Sequence, residues 1–206
     1  MSDSQSHITF AAFDIEMCAE ALARHGWYSC CDFLESETVT ALRNEIIDLS
    51  QHGTLKKAAI GSGADIHAEV RGDFIQWIDE VTSSRHVQSY LRRIGDLSSE
   101  LNRMLYCGIR RFEAHYALYP QGTVYQRHFD NFKGGNDRLF SCILYLNDDW
   151  TGSDGGALRL YHDGIHTDVL PHGGVFAIFR SDTMEHEVLP ARRSRMSITG
   201  WMRRDM

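Results

Sequence analysis

The spacing of apolar residues is helical in the first half of the chain. Over residues 14–24 the apolar positions recur at helical spacing, and Gly26 predicts the end of this first helix. Ser36 is placed to cap a second helix, and Ser83 or Ser84 to start a third. Each predicted helix has one apolar face, so we expect the three helices to cover one side of a sheet.

After Tyr106 the pattern changes to short alternating or apolar runs separated by Gly, Asp, Asn and Pro. Eight such runs predict strands, and their spacing is typical of an all-β sandwich or barrel, for which we expect an eight-stranded jelly roll. FIQWI at 74–78 predicts one more strand upstream. The expected fold class is therefore mainly β with N-terminal helices: a double-stranded β-helix (jelly roll) with about three supporting α-helices. The eight runs are RFEAHYALY, TVYQRHFD, FSCILYLN, GALRLY, HTDVL, VFAIF, HEVLP and MSITGWM.

Residues 52–72 lack periodicity and contain glycines, small residues and both charges, which predicts a long loop. With 206 residues and 43% hydrophobic content, the chain can form one large core and is short for two. We therefore expect a single domain over residues 1–206. Residues 1–105 would supply helical support and the loop, and residues 106–202 would form the jelly-roll core.

Charge and cysteine content restrict the classes of function. The formal net charge of -7 disfavours nonspecific binding to nucleic acid or to a membrane surface. The polar start lacks the pattern of a signal peptide, and no apolar run is long enough to span a bilayer. The five cysteines are odd in number and include no C-x-x-C pair, which predicts reduced thiols. We expect a cytoplasmic protein without a membrane or nucleic-acid partner.

Three H-x-D/E matches offer candidate metal ligands. His128 and Asp130 lie in a predicted strand, where residues i and i+2 point to the same face and place an imidazole beside a carboxylate. Such a pair supplies two ligands of the facial triad that holds non-haem iron. His67-Ala68-Glu69 falls in the predicted loop, where no strand fixes its side chains on one face. His166-Thr167-Asp168 lies on a plausible strand, but close in sequence to the expected third ligand.

Four histidines downstream of Asp130 could supply that third ligand: His162, His166, His172 and His186. His186 is the best candidate, because it begins a later predicted strand. Arg195 opens the next strand, and both side chains can face a barrel interior. A buried arginine needs an anion, and its guanidinium forms a fork suited to a carboxylate. We expect His115, His162 and His172 to be surface or satisfied core histidines, because no other motif gives them a partner at ligand spacing.

These residues belong to longer motifs that resemble the iron(II) and 2-oxoglutarate-dependent oxygenases, and within them the HIF-type prolyl 4-hydroxylases and their bacterial relatives. The resemblance spans residues 70–201. It implies Fe(II) as the metal, 2-oxoglutarate as cosubstrate, O2 as oxidant and ascorbate as a candidate reductant. The segment RGD-x-I-x-WI at 71–78 is similar to the one that follows a mobile finger loop in that family. The other motifs are YP-x-G…Y-x-RH-x-DN at 119–131, YLN-x-DW at 145–150, GG-x-LR at 155–159, HEV-x-PA at 186–191 and R-x-x-IT-x-W at 195–201.

The resemblance also implies roles for single residues. It assigns the iron ligands, the partners of the distal carboxylate of 2-oxoglutarate, the walls of two pockets, and a charge pair that couples the finger loop at 52–72 to substrate binding. His128, Asp130 and His186 would be the iron ligands, and Arg195 and Tyr145 would bind the distal carboxylate. Tyr119 would line the cosubstrate pocket, and Tyr125, Arg138 and Trp201 would surround the prolyl-substrate pocket. Asp73 and Arg138 would form the charge pair.

The function that the resemblance implies is hydroxylation of a prolyl residue in a protein or peptide, with release of succinate and CO2 and with oxygen sensing as an associated role. Elongation factor Tu is a candidate partner, because bacterial relatives have been connected with one of its prolines. Two alternatives stay open: hydroxylation of a free amino acid or other small metabolite at the same centre, and a non-catalytic jelly roll that senses iron or oxygen. A peptide substrate should depend on the loop at 52–72, whereas a small metabolite should be turned over after that loop is shortened.

Overall fold

The computed structural model describes residues 11–58, 71–131 and 137–205. These ranges contain three α-helices and eleven strands. The helices are α1 (Ile15–Arg24), α2 (Ser36–Gln51) and α3 (Arg85–Leu105). The strands are β1 (Trp27–Cys30), β2 (Lys56–Lys57), β3 (Phe74–Trp77), β4 (Arg111–Tyr119), β5 (Tyr125–His128), β6 (Arg138–Tyr145), β7 (Leu158–His162), β8 (Ile165–Val169), β9 (Phe176–Arg180), β10 (Glu185–Val188) and β11 (Arg195–Arg203).

Side-chain caps fix the start of two helices. Asp14 caps α1 by accepting a hydrogen bond from a backbone N–H of the first turn, and Ser84 caps α3 in the same way. The prediction that Ser36 caps α2 is wrong. The N-cap is Glu35, whose side chain makes no capping bond, and Ser36 is already the first helical residue. A helix with a buried apolar face forms without a side-chain cap because tertiary packing supplies most of its stability.

The strands form two antiparallel sheets. One has seven strands in the order β1-β9-β6-β11-β4-β3-β2, and the other has four in the order β5-β10-β7-β8. The eight strands predicted after Tyr106 are present as β4 to β11. The predicted architecture of a jelly roll with three supporting helices is confirmed.

Strand β6 shows how the core is divided. Cys142 and Leu144 pack in a large cluster with residues of all three helices, whereas Ile143 and Tyr145 pack with residues of β7, β8 and β9. Successive side chains of a strand point to opposite faces, so β6 is buried on both. This double burial explains why the sequence of β6 is mostly apolar, with Ser141 as a buried polar residue. The space between the two sheets is left for the functional site.

The predicted loop falls largely on residues 59–70, so His67 and Glu69 lie outside the described residues. Among the residues that are described, no helix combines the length and apolarity needed to cross a bilayer.

Candidate metal centre and active site

Strands β5 and β10 bring three predicted ligands together. His128 and His186 are paired across these strands, and Asp130 lies just beyond the end of β5. One candidate ligand atom from each residue lies within 4.8 Å of the others. Asp130 and His186 are buried, and the His128 side chain is only 10% exposed. In the described part of the chain no other cluster of His, Cys, Asp or Glu has this spacing.

Backbone carbonyls orient both imidazoles. Nδ1 of His128 lies 2.6 Å from the Gln126 carbonyl oxygen, and Nδ1 of His186 lies 3.1 Å from the Met184 carbonyl oxygen. A carbonyl oxygen only accepts, so Nδ1 donates in each case and Nε2 keeps its lone pair. Nε2 of His128 is buried, makes no hydrogen bond among the described residues and lies 3.4 Å from Asp130 Oδ1. This arrangement fixes the tautomer that a metal ligand requires.

Two donors hold the Asp130 carboxylate. The Ser141 hydroxyl donates to Oδ2 at 2.6 Å, and Trp201 Nε1 donates to the same oxygen at 2.9 Å. Burial alone would raise the pKa of Asp130, but the imidazoles of His186 and His128 and the Ser141 hydrogen bond hold it well below its usual range. The carboxylate is therefore ionised and ready to bind a cation.

Burial lowers the pKa of His186 to about 4, although the Asp130 carboxylate partly opposes this shift. At neutral pH the imidazole is thus uncharged, which is the form that binds a metal.

A buried cation, Arg195, lines the same cavity as the three candidate ligands. Arg195 is 2% exposed, and its guanidinium lies 5.2 Å from the Tyr119 ring and 4.9 Å from the Tyr145 ring. It donates to the Tyr145 hydroxyl at 3.3 Å. Its Nε has no partner, and no carboxylate forms an ion pair with it in the ranges that the structure describes. Burial raises the pKa of Tyr145, so its hydroxyl stays neutral, and an incoming anion would complete this site.

Tyr125 covers the candidate metal ligand His128. The two rings are stacked with centroids 3.6 Å apart and an interplanar angle of 20°. The Arg71 guanidinium lies 4.9 Å from the centre of the Tyr125 ring. Burial raises the pKa of Tyr125 to about 12, with Arg71 partly offsetting the effect. A neutral phenol therefore packs between a cation and a candidate ligand.

The predicted charge pair between Asp73 and Arg138 is absent from this structure. Asp73 is fully buried and accepts two hydrogen bonds from Arg71, at 2.7 and 3.0 Å. Arg138 instead binds Glu113 at 3.1 Å, and its guanidinium lies 3.6 Å from the centre of the Trp201 ring. Arg71 is two residues from Asp73 in the chain, and this short separation lets it occupy both carboxylate oxygens with a planar fork.

The second H-x-D match is not part of the site. Both oxygens of Asp168 accept hydrogen bonds from Arg159, each at 2.8 Å, on the outer part of the four-stranded sheet. His166 is exposed. The expectation that these residues do not bind a metal is consistent with this geometry.

The prediction for His115 is wrong. The residue is 1% exposed, yet its Nε2 has no partner among the described residues, so it is neither a surface nor a satisfied core histidine. It lines the same cavity as the three candidate ligands His128, Asp130 and His186, which we call the metal trio. Arg71, which sequence reasoning also missed, lines this cavity too. Alternation along β4 from Tyr119 could have placed His115 on the cavity face. The full lining is Arg71, His115, Tyr119, Tyr125, His128, Asp130, Ile143, Leu158, His186, Val188, Arg195, Thr199 and Trp201.

The donor set fits a non-haem iron ion. Two imidazoles and one carboxylate form one side of the cavity, which is the composition of the facial triad. Nε2 of His128 and Oδ1 of Asp130 are two acceptors only 3.4 Å apart, which a cation would satisfy. Nε of Arg195 has no partner among the described residues, which an anion would supply.

Comparison with known proteins identifies relatives that are similar in sequence over most of this chain. The model of a family described as 2OG-Fe(II) oxygenase superfamily matches residues 114–203. Human Egl nine homolog 1 is 33% identical over 196 residues, covering 91% of this chain and 46% of the relative, so the chain spans about half its length. Mouse prolyl hydroxylase EGLN3 is 30% identical over 202 residues, covering 91% of this chain and 82% of the relative.

Two solved structures are similar over nearly the whole chain. A Pseudomonas putida prolyl-4-hydroxylase has 38% identity and a TM-score of 0.86, covering 94% of this chain and 100% of the other. A Trichoplax adhaerens prolyl hydroxylase, solved with a peptide of the hypoxia inducible factor oxygen degradation domain, has 28% identity and a TM-score of 0.85. That match covers 92% of this chain and 88% of the other.

Proposed function

This chain belongs to the 2OG-Fe(II) oxygenase superfamily, and from that premise we propose that it is a dioxygenase that hydroxylates a prolyl residue in a protein or peptide. The observation that carries the proposal is one cavity that contains both the buried trio of His128, Asp130 and His186 and the buried cation Arg195. The prolyl substrate class rests on the similarity to named prolyl hydroxylases.

In this proposal His128, Asp130 and His186 hold Fe(II). Arg195, with the Tyr145 hydroxyl, binds the distal carboxylate of 2-oxoglutarate, and the Tyr119 ring forms a wall of that pocket. When bound, Fe(II) and 2-oxoglutarate supply the oxidation, in which one oxygen atom of O2 enters a substrate C–H bond and the other enters succinate as CO2 leaves.

The protein contributes orientation and a dry cavity. Arg195 fixes one end of the cosubstrate, so that its other end meets the metal ligands in a single orientation. Ser141 and Trp201 keep the Asp130 carboxylate from rotating toward other partners. Tyr125 covers His128 and limits access of water to that ligand.

The substrate side of the cavity would be formed by Tyr125, Trp201 and Arg138. Trp201 lines the cavity, and Arg138 packs on its outer face, where it can hold the indole in place. Asp73 contributes indirectly, because it fixes the Arg71 guanidinium that packs on Tyr125. Elongation factor Tu remains a candidate protein substrate on the basis of the sequence resemblance.

The alternative is hydroxylation of a free amino acid or other small metabolite by the same residues. The exposed aromatic ring of Trp77, beside the cavity residues His115 and Trp201, favours a larger substrate that extends beyond the cavity. A non-catalytic sensor of iron or oxygen would leave the buried Arg195 without an anion.

We also propose a cytoplasmic location and a role in oxygen sensing. All five cysteines lie in the described ranges and none of them forms a disulfide, as expected for a reducing compartment. A KM for O2 above the ambient concentration would support the sensing role, whereas saturation at low O2 would exclude it.

A lysate experiment tests the proposed function. The protein is incubated with Fe(II), 2-oxoglutarate and a cell-lysate proteome, with purified elongation factor Tu as a separate arm, and succinate and oxidised prolines are measured by mass spectrometry. We expect both products. Succinate without any modified protein would favour the metabolite, and absence of succinate would exclude every enzymatic alternative. Turnover that persists after shortening the 52–72 loop would also favour the metabolite.

A further inference from the structure

His115 lines the same cavity as Arg195 and lies four residues along β4 from Tyr119. On β4, His115 and Tyr119 point to the same face, and Tyr119 is the residue paired with Arg195 on β11. The His115 ring lies 5.5 Å from the Trp201 ring and 5.1 Å from the Trp77 ring, and Trp77 is 50% exposed. His115 therefore lines the cavity that contains the metal trio and also contacts the half-exposed ring of Trp77.

The hydrogen bonding of His115 defines what its free nitrogen can bind. Nδ1 lies 3.2 Å from the carbonyl oxygen of Tyr116, so Nδ1 carries the proton and donates it. Nε2 then carries a lone pair and can only accept a hydrogen bond. This atom is buried in the cavity wall without a partner among the described residues. Burial lowers the pKa of His115 to about 4, and Arg71 adds to this effect, so the imidazole remains neutral at physiological pH.

A buried acceptor of this kind requires a donor. The ionised carboxylates of 2-oxoglutarate and of Asp130 have only acceptor oxygens, so neither can pair with Nε2. A proline ring also lacks an N–H. The donors that a prolyl peptide brings to this part of the cavity are the backbone N–H groups of the residues beside the proline.

We propose that His115 is a substrate-positioning residue, whose Nε2 accepts a hydrogen bond from a backbone N–H of the peptide beside the target proline. This inference rests on the proposed function. The inference extends the proposed function, because the hydrogen bond would select substrates that present an N–H at this point. The same bond would hold the proline ring toward the metal trio. The contact satisfies a buried polar atom that otherwise has none, so its loss should weaken binding of the peptide and not of the cosubstrate.

The test uses the synthetic proline peptide that the wild-type protein hydroxylates best, with a series of analogues in which one backbone amide at a time is an ester. His115→Phe keeps a ring and removes the acceptor, and His115→Gln keeps an acceptor. Tyr90→Phe is the matched control, because Tyr90 also has an unpartnered buried polar atom but lies in the core cluster beside the helices. His115→Leu replaces His115→Phe if the latter does not fold.

We expect His115→Phe to raise the KM for the peptide about tenfold, with the KM for 2-oxoglutarate unchanged. His115→Gln should recover most of the affinity, and Tyr90→Phe should match the wild type. One ester analogue should lose about the same factor with the wild type and nothing further with His115→Phe.

An unchanged KM for the peptide in His115→Phe would overturn the inference. So would an equal rise in the KM of both substrates, which would indicate a structural role, or an ester series in which no analogue interacts with the variant. If the wild type hydroxylates no peptide yet forms succinate, the proposed prolyl function itself fails, and the inference falls with it.

Discussion

Trp201 Nε1 donates a hydrogen bond of 2.9 Å to Asp130 Oδ2. Trp201 lies on β11 of the seven-stranded sheet, whereas Asp130 follows β5 of the four-stranded sheet. The bond therefore joins the two sheets at a candidate metal ligand, and together with Ser141 it fixes the carboxylate before any ion arrives.

Trp201→Phe should weaken metal binding, because the carboxylate loses a donor that orients it. We expect an approximately tenfold rise in the Kd for Mn(II), the usual scale for residues that support a metal ligand. Electron paramagnetic resonance titration of free Mn(II) measures this directly. Trp27→Phe removes an indole that packs near His162 and does not line the cavity, so it should leave the Kd unchanged. An equal Kd for both variants would refute the role of the hydrogen bond.

Asp130→Ala should abolish Fe(II)-dependent succinate formation and metal binding, because the remaining imidazoles lack the anionic ligand. Asp168→Ala is its control and should retain full activity. It loses only a partly exposed ion pair with Arg159, so the free energy of unfolding should fall by about 1 kcal/mol or less. An inactive Asp168→Ala protein that still folds would show that the other H-x-D match holds the metal.

Arg195→Ala should weaken the binding of 2-oxoglutarate more than it weakens the binding of the metal. Removing one partner of a buried charge pair costs about 2 to 5 kcal/mol, which corresponds to a rise in the KM for 2-oxoglutarate of at least about thirtyfold. Arg193→Ala removes a nearby arginine that packs on Trp150 at the surface and should have no such effect. Comparable KM values for the two variants would argue against the assigned anion site.

His115 should make the stability of the metal-free protein depend on pH. Its pKa in the folded state is about 4, below its ordinary value of 6.5, so between these pH values the unfolded chain binds the extra proton. The stabilisation is present above pH 6.5 and is lost as the pH falls toward 4. Urea unfolding should show that the wild type loses about 1.4 kcal/mol per pH unit more than His115→Phe in this window. Parallel pH profiles would contradict the shift.

Much of the fold could be predicted because the apolar pattern of each strand follows from one cause, the burial of its side chains. The alternating and apolar runs after Tyr106 reflect burial on one or both faces, and all eight became strands. The cap of α2 could not be predicted in this way. Ser36 is a good capping residue, but it is the first residue of the helix, which thus begins one residue earlier than a cap at Ser36 would require. Packing, and not a side-chain cap, decides where this helix starts.

The site could be predicted only where ligands occur in local motifs. His128, Asp130, His186 and Arg195 were found from strand periodicity and spacing, and the structure brings them to one cavity. The pairing of Asp73 was mispredicted, because which of several arginines meets a carboxylate depends on three-dimensional distance. His115 was overlooked because its importance lies in a missing partner, which no sequence pattern records.

The measurement that tests the central claim most directly is incubation of the purified protein with Fe(II), 2-oxoglutarate, isotopically heavy O2 and a library of proline-containing peptides. Mass spectrometry follows the heavy oxygen, and Asp130→Ala is the parallel control. Prolyl hydroxylation predicts one heavy oxygen atom on a proline residue for each heavy oxygen atom in succinate, with neither product formed by the variant. Heavy succinate without any labelled proline would contradict it.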